Sequence, residues 1–590
     1  MKRRAAAAAV VAVRNAAAAH AELVPDAFRL EDRTPLGDLL VGAGVASREV
    51  VEDAVRTQGA RLLGAVLIER GAAGEQDITR ALSEQLHIPL VDLRDAEPDE
   101  AATELVDAAT AHRHDVLPLV LKDGVLRVAV ADPLDVDTIA VLRRLPVSEV
   151  HLALGTPSLL RSRVNRAYPA LSAMQFDIDA FEASDIAGDM VDVADQVVDP
   201  NAPIVQVVNK IVTQALRDRA SDVHVEPAEE CIRIRFRIDG ALKDVVELPI
   251  AMGPALVSRV KIMAEMNIVE RRRPQDGQFE MNIDGRDLDV RVSTTATIWG
   301  EKVVMRLLDR TRSLFRLSDL GMPADSSEMF SRIVSAPFGM VIVGGPTGSG
   351  KTTTLYATLS EINRTDINVM TIEDPVEYIF PRINQIQISD QSGLTFASGL
   401  KSILRQDPDV ILVGEVRDVE TARIAVQSAL TGHRVFSSVH AIDAVSSMYR
   451  LLDMGIEPFL ITSAIIGVVA QRLVRRLCTS CAIEYEPTLS ERTIFERFAG
   501  HEKREWFRGE GCQFCSGTGY FERVGVFEVL AISDELRQCV VDGLPPRVAR
   551  ELAIEQGMRT LQAEAVRLVE NDVTTMEEVV KHVLVDEGLE

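Results

Sequence analysis

Residues 340–353 read MVIVGGPTGSGKTT, and the fold of the surrounding region is decided by this stretch. Met340 to Val343 is a continuous apolar run, the pattern of a strand buried on both faces. It feeds into G-x-x-x-x-G-K-T from Gly345 to Thr352, the spacing of a triphosphatase phosphate-binding loop. Glycines in such a loop let several amide N–H groups converge on one anion, and a helix starting near Thr352 adds the positive end of its dipole. The candidate nucleotide-binding set is therefore Gly345, Pro346, Thr347, Gly348, Ser349, Gly350, Lys351, Thr352 and Thr353. Lys351 offers a point charge to the β- and γ-phosphates, and the Thr352 hydroxyl a ligand for Mg²⁺.

Three further apolar runs follow. NVMTIEDPVEY (368–378) is a strand ending in Glu373, Asp374 and Glu377; DPDVILVGEVRD (407–418) is one ending in Glu415 and Arg417; and ALTGHRVFSSVHA (429–441) holds one bracketed by His433 and His440. Alternation with helices implies a parallel sheet whose ligand sits at the carboxyl ends of the strands. Acidic groups there can hold Mg²⁺ through water and orient an attacking water, although the same residues also serve as helix caps. An imidazole such as His440 can report the γ-phosphate by hydrogen bonding.

At 590 residues and 47% apolar content the chain holds several domains with real cores. A net charge of −25 opposes a nucleic-acid-binding surface over the whole molecule. The apolar region PFLITSAIIGVVAQRLV (458–474) is too short and interrupted to span a membrane and is expected to be a buried helix. The opening MKRRAAAAAVVAVRNAAAAHA has a signal-like basic head, but its alanine-rich centre favours a flexible or weakly helical tail (1–30) over export.

Residues 35–85 carry a repeat. PLGDLLVGAGVASREVVEDAVRTQ and LLGAVLIERGAAGEQDITRALSEQ align with a constant offset of 27, Gly37 on Gly64 and Gln58 on Gln85. Each unit reads as two short helices separated by glycine. A strand is expected at Val91–Leu93, and two more in VLRVAVADP and VHLALGTP, completing a module over 31–168. Residues 169–200 are acidic and read as a linker. From 201 to 316 an amphipathic helix precedes alternating strands, among them IRIRFRIDG, that carry Arg235, Arg237, Arg291 and Arg306. These arginines suit a solvated, salt-bridged sheet face. They also suit the charge that oligomeric ATPases bring to a transferring phosphate across a subunit boundary.

Cys478 and Cys481 form one C-x-x-C, and Cys512 and Cys515 a second. Four thiolates so paired match a structural Zn²⁺ site, with a redox pair as the alternative. Cys231 and Cys539 are isolated and read as core residues.

Taken together, GPTGSGKTT, TIEDPVEY, ILVGEVRD, TGH…SSVHA and GCQFCSGTGYFERVGVFEVL resemble the type II secretion and type IV pilus assembly ATPases. The resemblance implies a multidomain α/β chain. A helical-repeat N-terminal module of the MshEN type and a PAS-like α+β domain would precede a RecA-like parallel-sheet ATPase core (317–474). A four-cysteine zinc subdomain (475–525) and a helical subdomain (526–590) would follow. It implies that Lys351 and Thr352 bind ATP–Mg²⁺, that Glu415 and Glu377 serve the hydrolytic water, and that Glu373, Arg405 and Arg417 line the nucleotide site. His440 would sense the γ-phosphate, and Arg291 and Arg306 would reach a nucleotide from the domain before the core. In SSVHAID (437–443) this chain keeps His440 of the family's S-T-x-H-T-N but lacks the hydroxyl and amide after it. Related retraction motors lack the cysteines, so the resemblance implies a secretion or assembly motor. That motor would be cytoplasmic, a ring of six, and peripheral at the inner membrane through platform and docking partners. A nucleic-acid translocase on the same core is the more distant alternative. Some N-terminal modules of this family bind cyclic di-GMP through R-L-G-x-x-L motifs. Here Pro35 and Leu62 stand at the arginine positions, which favours a structural or partner-docking module.

Overall fold

The computed structural model describes residues 34–584 except 59–61, 95, 97, 169–173, 184–201, 310–316, 390–391 and 513; the N-terminal tail expected over 1–30 lies outside them. The chain divides into two compact units, Met1–Asp309 and Arg310–Glu590.

The first unit opens with the repeat as four helices: α1 (Leu36–Gly42), α2 (Arg48–Thr57), α3 (Leu63–Glu69) and α4 (Glu75–Leu86). The offset of 27 is a packing symmetry. A Cβ on Gly37 would lie 2.5 Å from Val51 Cγ1, and one on Gly64 2.8 Å from Ile78 Cγ2, so each unit needs glycine where its first helix crosses its second. A small sheet follows, with β1 (Val116–Lys122) antiparallel to β2 (Val125–Val130) and β2 parallel to β3 (Glu149–Leu154). The strand expected at Val91–Leu93 is an isolated bridge between Leu90 and Leu154. Pro89 lacks an N–H, so the pairing ends after the Val91 N–H and the Pro89 carbonyl are used.

The linker expected over 169–200 is corrected in its first half. Helix α5 (Met174–Ala183) lies on α6 (Pro203–Arg217). Met174, Ile178 and Phe181, spaced for one helical face, are buried in the same core as α6, and Asp177 pairs with Lys210 at 2.5 Å. The acidic residues between them obscured that spacing. Residues 184–200 are outside the described residues.

Next comes an antiparallel six-stranded sheet in the order β6-β5-β4-β9-β8-β7. Its strands are β4 (Asp222–Pro227), β5 (Cys231–Ile238), β6 (Ala241–Pro249), β7 (Gln275–Ile283), β8 (Arg286–Thr297) and β9 (Gly300–Asp309). Strict alternation sends Ile232, Ile234 and Phe236 into a core shared with α6 and α7 (Gly253–Met263), and the arginines between them to the opposite face.

The second unit is built on a seven-stranded sheet in the order β12-β11-β13-β14-β10-β15-β18. Its members are β10 (Gly339–Gly344), β11 (Val369–Glu373), β12 (Ile383–Gln387), β13 (Val410–Val413), β14 (Arg434–Val439), β15 (Ile465–Leu477) and β18 (Tyr520–Ala531). All neighbours are parallel except β15 and β18. Apolar clusters cover both faces, as a parallel sheet requires. The buried helix expected over 458–474 is corrected here. Only Pro458–Ala464 is helical, and Ile465 onward is β15, a central strand paired with β10 and β18. The β-branched Ile465, Ile466, Val468 and Val469 favour that conformation.

Between β15 and β18 the chain leaves the sheet for the four-cysteine region. It includes the short pair β16 (Ala482–Glu484) and β17 (Phe507–Gly509) and the helix Leu489–Ala499. The helical segment expected from 526 therefore starts later, at Asp534, because 526–531 completes β18.

Candidate active site

The loop after β10 folds as its sequence requires. Gly350, at φ 88°, caps the helix α8 (Lys351–Ile362), a left-handed conformation costly for any residue with a Cβ. Lys351 Nζ donates to the carbonyls of Gly345 (2.9 Å) and Pro346 (3.0 Å), which closes the loop over its own lysine. Burial pushes the Lys351 amine below its ordinary value; Glu415 opposes this and the Arg472 charge adds to it. Pro346, Thr347 and Gly348 are exposed, while Gly345 and Ser349 are buried and Thr352 and Thr353 are half-buried in the first helical turn.

Beneath the loop lie two residues that the sequence reading missed. Gln471 Nε2, on β15, donates to the Ser349 carbonyl at 2.7 Å. Arg472 donates to the carbonyl of Ile442 at 3.0 Å, which ties the segment after His440 to the same strand. Ser349 Oγ and Gln471 Oε1 are buried with no hydrogen-bond partner among the described residues, so polar capacity remains beside the loop. Assigning 458–474 to a helix had hidden Gln471 and Arg472.

Glu415 follows β13 at the same carboxyl edge. Arg417 pairs with one of its oxygens, and His440 Nε2 stands 3.5 Å from the other. Arg417 also lies 3.7 Å from Asp374, so one guanidinium spans the acidic ends of β11 and β13. Lys351, Glu415, Arg417 and His440 thus share one edge of the sheet. Glu377 is exposed in the loop after β11, with its backbone N–H donating to Tyr356 Oη at 3.2 Å.

Two expected site residues stand elsewhere. Glu373 is 3% exposed and accepts hydrogen bonds from Thr371, Tyr356 and Gln385, so it is a structural hub of the interior and no lining of an open site. Arg405 follows the helix Phe396–Ile403 and precedes β13. Its neighbour Gln406 accepts from Asn368, just before β11, so Arg405 lies at the amino edge of the sheet, opposite the phosphate loop. His433, before β14, shares that edge.

In the first unit, register aligns Arg237, Asp222, Arg306 and Arg291 in one row across β5, β4, β9 and β8. Asp222 lies 3.1 Å from Arg306 Nε and 3.8 Å from Arg237 Nε. One carboxylate thus pairs with two of the three arginines in the row. Arg235 pairs with Glu226 and Asp244 on the same face, a salt-bridged surface as the alternation implies.

The four cysteines converge, with all sulfurs within 4.8 Å of one another. The separations Cys478–Cys512 (3.8 Å), Cys481–Cys515 (3.8 Å) and Cys512–Cys515 (3.7 Å) match the ~3.8 Å edge of a tetrahedron with Zn–S bonds of ~2.3 Å. The backbone N–H groups of Cys512 and Gly519 point at Cys515 Sγ at 3.2 and 3.1 Å, the arrangement that favours a thiolate. The donor set fits zinc.

Comparison with known proteins agrees with this architecture. The family model described as Type II/IV secretion system protein matches residues 198–581, and the MshEN domain model matches 86–174, over the small α/β unit beyond the helical repeat. The chain is 40% identical to the type IV pilus assembly ATPase PilB of Myxococcus xanthus, over 86% of this chain and 91% of that one. It is 44% identical to the type II secretion system protein HxcR of Pseudomonas aeruginosa, over 71% and 85%. Against the type II secretion system protein E of Xanthomonas campestris it is 40% identical, over 86% and 90%.

Proposed function

Because the chain belongs to the Type II/IV secretion system protein family, we propose that it is an ATP-hydrolysing motor for type II secretion, converting ATP and water to ADP and phosphate. The observation that carries this is the shared edge where Lys351, Glu415, Arg417 and His440 meet the phosphate loop. Type IV pilus assembly is the second reading, favoured by the match to PilB over most of both chains.

In this reading the loop from Gly345 to Thr353 binds the triphosphate on its N–H groups and the dipole of α8. Magnesium, held through the Thr352 hydroxyl, supplies charge neutralisation on the phosphates. Glu415 orients the attacking water, with Arg417 and His440 holding its two oxygens; Glu377 assists from the neighbouring loop. His440 also reads the γ-phosphate, and Arg472 keeps the segment after it tied to β15. Arg291 and Arg306 bring positive charge to a nucleotide held by a neighbouring subunit of a six-membered ring. Cys478, Cys481, Cys512 and Cys515 hold a structural zinc. The antiparallel sheet domain is PAS-like. The N-terminal module docks a partner of the envelope machine rather than cyclic di-GMP, since Pro35 and Leu62 offer no guanidinium. In this reading the protein is cytoplasmic and attached to the membrane through platform proteins; among the described residues no helix is long and apolar enough to cross a membrane.

Phosphate release from Mg-ATP tests this on the whole chain. The wild type is expected to turn over and Lys351→Ala to fall by ~10²-fold or more. A wild type with no hydrolysis, or a Lys351→Ala variant at the wild-type rate, contradicts it.

A further inference from the structure

Tyr356 lies on α8, in the helix opened by Lys351 and Thr352, and is buried beneath β11. Its hydroxyl donates to Glu373 Oε2 and accepts from the Glu377 N–H at 3.2 Å. The second Glu373 oxygen accepts from Thr371 Oγ1 (2.5 Å) and Gln385 Nε2 (3.3 Å). Gln385 in turn donates to the Tyr378 carbonyl (2.9 Å) and accepts from the Phe380 N–H (2.9 Å), and Gln387 accepts from the Val376 N–H (3.2 Å). Backbone groups from 376 to 380 are thus held from below by side chains of β12 and α8, which Glu373 of β11 anchors in turn. The Tyr356 ring meets Phe380 edge-on at 4.9 Å and Tyr378 at 6.1 Å. Within this network the Tyr356 hydroxyl links the helix that carries Lys351 to the loop that carries Glu377.

We propose that Tyr356, anchored by the Glu373 carboxylate, is a positioning residue that fixes the Glu377 loop relative to the phosphate-binding helix. The inference rests on the reading of Glu377 as a group that serves the hydrolytic water. A buried, charge-anchored bond keeps one geometry, whereas a loop held only by exposed bonds samples several. Displacements of about 1 Å at a group that orients a reactant can cost up to ~10²-fold in rate. Burial, with Glu373 adding to it, raises the Tyr356 hydroxyl far above its ordinary value. The proton therefore stays on oxygen, leaving a lone pair for the Glu377 N–H. Unlike the loop residues, Tyr356 has no part in holding phosphate, so its loss should affect chemistry and leave nucleotide binding intact.

The test uses the full chain and Tyr356→Phe, which removes the hydroxyl and keeps the ring in its aromatic cluster. The expected result is a kcat about tenfold lower with the Kd for a non-hydrolysable ATP analogue changed by less than about twofold. Glu377→Gln is measured alongside, and the double variant should be no slower than Glu377→Gln alone, because both act through one group. The inference is overturned if Tyr356→Phe hydrolyses at the wild-type rate, if analogue binding weakens in step with kcat, or if the double variant shows the product of the two losses. Glu377→Gln at the wild-type rate removes the reading of Glu377 and this inference with it. An inactive Glu377→Gln beside an unaffected Tyr356→Phe removes the positioning inference alone.

Discussion

Replacing Cys512 and Cys515 together by serine takes away one C-x-x-C and opens the loop that a metal would close. Cys478 and Cys512 are 34 residues apart, and tying a loop of that length removes ~4 kcal/mol of unfolded-chain entropy. If that stabilisation is spread over the unit Arg310–Glu590 at ~2.1 cal/mol/K per residue, the double variant melts ~7 °C lower. The shift should be centred on this unit, because β15 and β18 flank the cysteines and are neighbours in its sheet. Scanning calorimetry with and without a strong chelator, together with zinc analysis, measures it. The wild type should carry about one zinc per chain. Chelation should lower its transition towards that of the variant, which should not respond. A variant melting within ~2 °C of a wild type that carries no metal would refute the zinc assignment and the entropy argument together.

Glu578 is fully buried and takes two bonds from Arg475, Nη2 at 2.6 Å and the backbone N–H at 3.0 Å; Glu578→Gln should cost ~3–5 kcal/mol in denaturant titration. Burial works to raise that carboxyl, but the Arg475 bonds and charge outweigh it and hold it below its ordinary 4.5. Its contribution is therefore complete above pH ~4.5 and lost as pH falls through the lower folded value, a dependence the variant should lack. Gly350→Ala puts a Cβ at φ 88°, 3.1 Å from Gln471 Nε2, and the ~1–2 kcal/mol of strain should weaken ATP-analogue binding by ~5- to 30-fold in a fluorescence titration. Phe181→Ala should remove ~3 kcal/mol of packing and speed hydrogen exchange in α5 ahead of the sheet beneath it; unchanged protection would mean α5 is held by something else.

The parts of the fold that could be read from sequence were those with local causes. The phosphate loop needs glycines and a lysine at fixed spacing between an apolar strand and a helix, and the cysteine pairs need only their own separation. The helical repeat was legible because its glycines recur where helices cross. Segment 458–474 failed because a continuous apolar run fits a buried helix or a central strand equally, and the β-branched residues from Ile465 were the signal that went unused. Gln471 and Arg472 were lost with it. Helix α5 was hidden because Met174, Ile178 and Phe181 are separated by acids. Glu373 and Arg405 show the limit of motif reasoning. Residue type and neighbourhood suggest the site, but burial by Tyr356 and Gln385, and the edge of the sheet on which a loop emerges, depend on tertiary structure.

In the proposed motor the loop and Lys351 hold the nucleotide, and Glu415 serves its hydrolysis. Paired measurement of analogue binding and phosphate release on Glu415→Gln tests that division most directly. The predicted result is affinity within a few-fold of wild type and turnover reduced by ~10²-fold or more. Hydrolysis at the wild-type rate, or loss of binding in proportion to activity, would contradict it.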